Sequence, residues 1–212
     1  MTPGRFITLE GGEGVGKSTQ VGLLATALEA AGLPVLPVLR TREPGGSAGA
    51  EAIRALLLEG GADRWTPPAE ALLFAAARAD HVARTIRPAL ESGTWVLCDR
   101  FLDSSLAYQS GADGIDADAI RALHRVGSGG LMPDRTLVLA LPTRDGTARA
   151  LARDGEGSDR FGQRDAAYHD RVAASFAALA AADPQRMRVV DGSGSPGAVT
   201  ERLLDALADL LP

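Results

Sequence analysis

The stretch Phe6-Ile-Thr-Leu-Glu-Gly-Gly-Glu-Gly-Val-Gly-Lys-Ser-Thr19 decides the fold. Its first half is an apolar run of strand length. Its second half has Gly11, four residues, then Gly16, Lys17 and Ser18, which is the Walker A spacing. The glycines let the backbone curl so that successive N–H groups point inward at phosphate oxygens. A helix beginning near Lys17 adds the positive end of its dipole. Lys17 suits bridging of β- and γ-phosphates as a mobile point charge, and the Ser18 hydroxyl suits ligation of Mg²⁺. The plain alternative is a tight strand-helix turn. It is outweighed because pattern and context agree, with a strand before the loop and an amphipathic helix after it. The expected triphosphate-binding set is Gly11, Gly12, Glu13, Gly14, Val15, Gly16, Lys17, Ser18 and Thr19.

Outward from this loop, apolar runs of strand length alternate with helical patterns. Arg5–Glu10, Val35–Arg40, Thr94–Asp99, Arg135–Leu141 and Met187–Asp191 read as five strands. Several are almost continuously apolar, as in a parallel sheet covered on both faces. Pro37 moves the second towards an edge or a bulge. Helices are expected over Lys17–Ala31, Ala48–Glu59, Pro67–Ser92, Asp116–Val126, Thr143–Arg153, Asp165–Ala182 and Pro196–Leu211. Gly32 and Gly93 sit where helices end, and Asp116 reads as an N-cap. The alternation predicts a doubly wound α/β fold of P-loop NTPase type, three layers deep, with a five-stranded parallel sheet between helices. Ligands of such sheets bind beyond the carboxyl ends of the strands, where the notable loops fall.

A length of 212 residues suits one domain, and 45% hydrophobic with 23% charged residues is ordinary for a globular chain. The net charge of −5 argues against bulk nucleic-acid or anionic-membrane binding, which needs a basic surface. The one cysteine, Cys98, permits no internal disulfide and no multi-cysteine metal site. His81, His124 and His169 lack metal-ligand spacing and read as packing or surface residues. No apolar run approaches the roughly 20 residues that span a bilayer, and Met1 leads into the first strand without an apolar segment. A cytoplasmic location is the expectation.

A phosphate loop identifies a nucleotide user without naming the second substrate. A switch-type GTPase would carry an Asn-Lys-x-Asp guanine-reading segment, and asparagine is absent from the sequence. Motor and transporter ATPases need partner domains that this length cannot supply. A kinase of some small acceptor remains.

Four segments narrow the acceptor: the opening stretch, Thr41-Arg-Glu-Pro-Gly-Gly46, Leu72-Leu-Phe-Ala-Ala-Ala-Arg78 and Cys98-Asp-Arg-Phe-Leu-Asp-Ser-Ser-Leu-Ala-Tyr-Gln109. In this order and spacing the chain resembles bacterial thymidylate kinase, over essentially its whole length. The resemblance implies transfer of the γ-phosphoryl group of ATP, with Mg²⁺, to dTMP. It also implies a single nucleoside-monophosphate kinase domain over 1–212, a mobile lid at about 143–164, and a homodimer for which the Pro67–Ser92 helix is a candidate contact. The alternative within the fold is a kinase for another nucleotide or small metabolite.

The residues make chemical sense one at a time. Phe74 and Arg78 are four apart on one helical face, where a ring can stack on a pyrimidine and an Arg fork can reach a base carbonyl. Resemblance assigns them to thymine stacking and to its O4. Asp99 and Arg100 lie at a strand end, where a buried Arg needs an anionic partner. Resemblance makes Arg100 a clamp on the dTMP phosphate. Asp99 either organises the Mg²⁺ water shell or orients Arg100. The resemblance places Arg42, Glu43, Pro44 and Arg54 along the monophosphate; an ordinary turn with solvated charges is the alternative. Ser104, Ser105 and Gln109 are expected at the base edge, and Tyr108 under the sugar, where it would penalise a ribose 2′-hydroxyl.

Glu13 is an unusual choice in an anion-binding loop, since a carboxylate repels phosphate unless it faces elsewhere. The resemblance turns it towards the acceptor deoxyribose. Some family members carry a catalytic Arg at the next position, which here is Gly14. The missing charge is therefore expected from the lid, from Arg149, Arg153 and Arg160, with Arg153 nearest the γ-phosphate. A solvated basic helix face is the ordinary alternative.

Overall fold

The computed structural model describes residues 4–30, 38–61, 63–154, 160–162 and 164–211, without the side chains of Leu151, Arg153 and Asp154. Five parallel strands form one sheet in the order β2-β3-β1-β4-β5. They are β1 (Phe6–Glu10), β2 (Val38–Arg42), β3 (Trp95–Asp99), β4 (Arg135–Ala140) and β5 (Met187–Asp191). The expected second strand starts later, at Val38, and residues 35–37, with Pro37, lie outside the described residues. β2 is the sheet edge, as the proline implied.

The helices are α1 (Lys17–Ala30), α2 (Ala48–Leu58), α3 (Pro67–His81), α4 (Arg87–Glu91), α5 (Leu102–Ser105), α6 (Ala117–Ser128), α7 (Thr143–Asp154), α8 (Ala166–Ala182) and α9 (Pro196–Asp205). The expected single helix over 67–92 is continuous but changes pitch, with a π-helical turn at Val82–Ile86 joining α3 to α4. Pro88 has no N–H for the Arg84 carbonyl and its ring crowds that oxygen, so a wider turn just upstream relieves the conflict. Left-handed Gly93 closes α4, donating to the Leu90 carbonyl at 3.0 Å. Asp116 caps α6 through the Asp118 N–H, as its position predicted. Gly32 lies outside the described residues.

Strand continuity explains the layers. Ile7 and Leu9 pack with Leu24 and Leu28 of α1 and Leu203 of α9, whereas Phe6 packs on the other face with Ile86 and Phe101. Burying each such side chain contributes about 1.5–3 kcal/mol before the entropy of ordering it. A third cluster sets Val138 and Met187 against Tyr168, Val172 and Phe176 of α8, with Tyr108 and Phe161. At the switch point Leu9 of β1 and Arg42 of β2 both register with Asp99 of β3. The loops after these three strands therefore converge on one crevice.

Candidate active site

The phosphate loop leaves β1 and runs straight into α1. Gly14 and Gly16 have φ of 66° and 96°, a region closed to most residues with a Cβ. Lys17 is buried and donates to the carbonyls of Gly12 at 2.6 Å and Gly11 at 3.1 Å. Burial, and then the nearby Arg100 charge, lower its ammonium to about 8. Val15 is buried in the core and anchors the loop from beneath. Ser18 and Thr19 are exposed on the open side.

The Ser18 hydroxyl donates to Asp99 Oδ2 at 2.5 Å, while Asp99 Oδ1 is buried without a hydrogen-bond partner. A hydroxyl and an under-satisfied carboxylate oxygen are hard donors that fit Mg²⁺ or its water shell. No group of three or more His, Cys, Asp or Glu suited to a metal occurs among the described residues. Arg100 forms its ion pair with Glu13.

Beside the loop opens a cavity of about 400 Å³, lined by Glu13, Gly14, Gly16, Lys17, Ser18, Thr19, Arg42, Glu43, Pro44, Arg54, Phe74, Arg78, Asp99, Arg100, Ser104, Ser105, Tyr108 and Gln109. Residues expected separately at the phosphate, sugar and base thus surround one space. Leu58, Phe101 and Phe161 also line it and were missed by residue-type reasoning. The Phe161 ring lies 5.6 Å from that of Phe74, making a two-ring apolar wall.

Three networks hold the polar lining. In the first, Arg78 donates to Glu43 Oε2 at 2.7 Å, to the Ser105 hydroxyl at 2.9 Å and to the Phe101 carbonyl at 3.1 Å. Glu43 lies 3.1 Å from His81 Nδ1, and His81 Nε2 lies 2.7 Å from the Thr41 hydroxyl. Glu43, expected as a direct contact, thus also pins its own loop to α3. His81 is wholly buried and polar, not mere packing. Its spacing of three from Arg78 on α3 is the signal that could have found it. At the rim, Arg54 donates to the Pro44 carbonyl at 2.6 Å, and Arg42 grips Glu51 at 3.0 Å.

In the second network Arg100 donates to Glu13 at 2.5 Å, to Gly11 O at 3.0 Å and to the Ser104 and Tyr108 hydroxyls at 3.2 Å. Tyr108 in turn donates to Glu13 at 3.2 Å. This answers the puzzle of an acidic residue in an anion loop. Burial works to raise the Glu13 carboxyl, but Arg100 and then Lys17 outweigh it and hold it at about 2.

The third network corrects an expectation. Arg160, expected at the phosphates, is buried and donates to the carbonyls of Gly61 at 2.7 Å and Leu57 at 2.8 Å, and pairs with Glu70 at 3.3 Å. It does not line the cavity. The Leu57 and Gly61 carbonyls at the end of α2 and the Glu70 carboxylate compete for its fork, and a buried guanidinium needs such partners. Glu70 also accepts from Gln109 at 3.4 Å, tying the network to the cavity wall. Tyr168 donates to Asp113 at 3.4 Å rather than lining the cavity.

The segment expected as a lid is built differently. The first turns of α7 lie on the phosphate loop, where a Cβ on Gly14 would overlap the Gly146 carbonyl. A Cβ on Gly146 would come within 2.6 Å of the Glu13 carbonyl oxygen. Arg149 is exposed and, among the described residues, donates to the Gly192 carbonyl at 3.5 Å. The Arg153 side chain and residues 155–159 lie outside the described residues.

Comparison with known proteins gives a single answer. The family model described as thymidylate kinase matches residues 9–203. A relative named thymidylate kinase from Rhizorhabdus wittichii is 66% identical over 210 residues, covering 99% of this chain and 100% of that protein. One of the same name from Caulobacter vibrioides is 48% identical over 211 residues, covering 100% and 99%. The crystal structure of thymidylate kinase from Ehrlichia chaffeensis superposes with a TM-score of 0.76 at 31% identity, covering 97% of this chain and all of that one.

Proposed function

Because the chain belongs to the thymidylate kinase family, we infer that it transfers the γ-phosphoryl group of ATP to dTMP, giving dTDP for nucleotide synthesis. One observation carries the acceptor side of this reading: a single cavity joins the phosphate loop to an apolar two-ring wall and a buried Arg78. Phe74 stacks on the pyrimidine, Arg78 donates to its O4, and Ser105 and Gln109 meet the rest of its polar edge. Arg100 takes the acceptor phosphate, with Arg42, Pro44 and Arg54 along that side. Glu13 accepts from the 3′-hydroxyl, which places an acceptor next to the loop that holds the donor.

Ser18 and Asp99 are the residues that would hold Mg²⁺ or its waters, and the ion would supply neutralisation of phosphate charge. Lys17 bridges the same phosphates. Phosphoryl transfer leaves little covalent work for the protein, so positioning and charge stabilisation dominate. Arg149 and Arg153 bring the remaining charge when the lid closes, and closure excludes the water that would otherwise hydrolyse ATP. The lid lies within the stretch expected at about 143–164, short of Arg160 and Phe161, in one domain. A homodimer is supported by exposed Leu72 on α3 (56% exposed) and Val126 on α6 (88%), helices that pack together. The cytoplasmic assignment rests on the substrate pair, and no described helix is long and apolar enough to cross a membrane.

The deciding experiment is a coupled ADP-release assay across dTMP, dUMP, the ribose analogue of dTMP, dCMP and dGMP. Turnover should be fastest with dTMP. ADP release that ignores the acceptor would overturn the assignment.

A further inference from the structure

Glu10, the last residue of β1, is completely buried beside the site and has no part in the chemistry described above. Both of its oxygens are committed. Oε1 accepts the Phe101 N–H at 2.7 Å, and Oε2 is hydrogen-bonded to the Ser104 hydroxyl at 2.6 Å, as donor when the carboxyl carries its proton. These two partners follow Arg100, which is the one described residue other than glycine with a left-handed backbone, at φ 71°. A residue with a Cβ holds that conformation only where its surroundings impose it, and such residues cluster at functional sites. The Arg100 N–H donates to the Leu9 carbonyl at 3.0 Å, so β1 grips the turn from the main chain as well. Ser104 closes the circuit, because its hydroxyl also accepts from the Arg100 guanidinium at 3.2 Å.

We propose that Glu10 is a positioning residue for the acceptor: by bonding the backbone after Arg100 and the Ser104 hydroxyl, it fixes the left-handed turn that aims the Arg100 guanidinium into the cavity. The inference rests on the reading of Arg100 as the clamp on the dTMP phosphate. A carboxyl in an apolar layer is costly unless its hydrogen bonds are made, and here they are spent on this turn. Burial, and then the charge of Asp103, push the Glu10 carboxyl up to about 8. Near neutrality it is therefore a carboxylic acid, the form a glutamine imitates. A carboxamide keeps an oxygen for the Phe101 N–H and offers an N–H to the Ser104 hydroxyl.

Steady-state kinetics on the full chain test this with Arg100→Ala, Glu10→Ala, Glu10→Gln and Glu10→Asp. Arg100→Ala should raise KM for dTMP. If it does not, the clamp reading fails and takes the inference with it. Glu10→Ala should raise KM for dTMP by about tenfold, the effect of losing a hydrogen bond to a charged group, with KM for ATP within about twofold. Glu10→Gln should return KM for dTMP to within about threefold of the parent. The positioning role is overturned, with the clamp intact, if Glu10→Ala leaves KM for dTMP unchanged. It is equally overturned if both KM values rise together, or if glutamine rescues nothing. Should Glu10→Ala not fold, Glu10→Asp, whose shorter side chain cannot reach both partners, decides: a rise in KM for dTMP alone supports the role, and no change overturns it.

Discussion

The acceptor wall and the lid use the same residue, arginine, in opposite ways. On the acceptor side, Arg78 and Arg100 line the wall and Arg160 stands behind it; each is buried or nearly so and bonded to a carboxylate and a carbonyl. On the lid helix, Arg144 stands 87% exposed against Asp145, and Arg149 is exposed with one long bond. A fork fixed before substrate arrives loses little entropy on binding and imposes geometry, which suits recognition of a rigid base and a phosphate. An exposed fork is free to move to where charge develops and to leave with the product. On the proposed assignment, the difference would divide the work between reading the acceptor and stabilising the transferring group.

The largest effect expected from this division is on the lid. Arg149→Ala and Arg153→Ala, made singly, should reduce kcat by about 10³-fold at one of the two positions, the lower end for an arginine finger. KM for dTMP should barely move in either. Parental kcat in both variants would break the comparison, because the lid would then carry no transition-state charge.

Arg160 separates the two regions next. Sequence order assigns it to the lid, whereas its bonds assign it to the wall. Arg160→Ala should cost about 3 kcal/mol of stability in urea unfolding, the low end for breaking a buried pair. The low end applies because Glu70, whose carboxyl is already raised by burial and then by Asp113, can take up a proton once unpaired. Its kcat should fall by less than about tenfold, far short of a lost finger. A 10³-fold loss of kcat without destabilisation would return Arg160 to the lid.

What was legible follows the same line. The phosphate loop, the sheet and the helix succession came from local spacing, because glycine turns and helical or strand periods are written in consecutive residues. Most acceptor residues came from motifs in which partners sit within a few positions, such as Phe74 with Arg78. The pairs that were not read join distant segments: Arg160 to Glu70 across 90 residues, Phe101 to Glu10 across 91 and His81 to Glu43 across 38. A charged side chain takes the nearest complementary group in the fold, and no local pattern names that group. Arg160, expected in the lid, is bonded instead to Glu70 and two carbonyls for this reason.

A pH experiment probes the rigidity of the wall. Glu10 titrates at about 8 in the folded protein against an ordinary 4.5. A raised folded value means that the folded state holds the extra proton. Its contribution is complete below about 4.5 and is lost as pH rises through about 8. Between these limits stability should fall with pH by up to about 1.4 kcal/mol per unit from this group. The difference between the parent and Glu10→Gln in urea midpoints at pH 5.5, 7 and 8.5 isolates it, since other groups titrate in both. Parallel midpoints would mean that Glu10 is solvated and the turn around Arg100 loosely held.

The smallest effect is the most discriminating within the wall. Tyr108 packs its ring among Phe161, Tyr168 and Phe176, and its hydroxyl joins Glu13 to Arg100. Ring and hydroxyl therefore have separable duties. Tyr108→Phe keeps the ring and removes two bonds of 3.2 Å, at a cost of about 1 kcal/mol, or roughly fivefold in KM for dTMP. Because Glu13 retains its ion pair with Arg100, kcat should change little. Tyr108→Ala removes the ring as well, and with it the surface under the sugar, so preference for dTMP over its ribose analogue should narrow. If phenylalanine narrows that preference as much as alanine, the hydroxyl and not the ring reads the sugar. The wall would then discriminate through its hydrogen-bond network, and the preorganised forks, more than the apolar surface between them, would set which nucleotide is accepted.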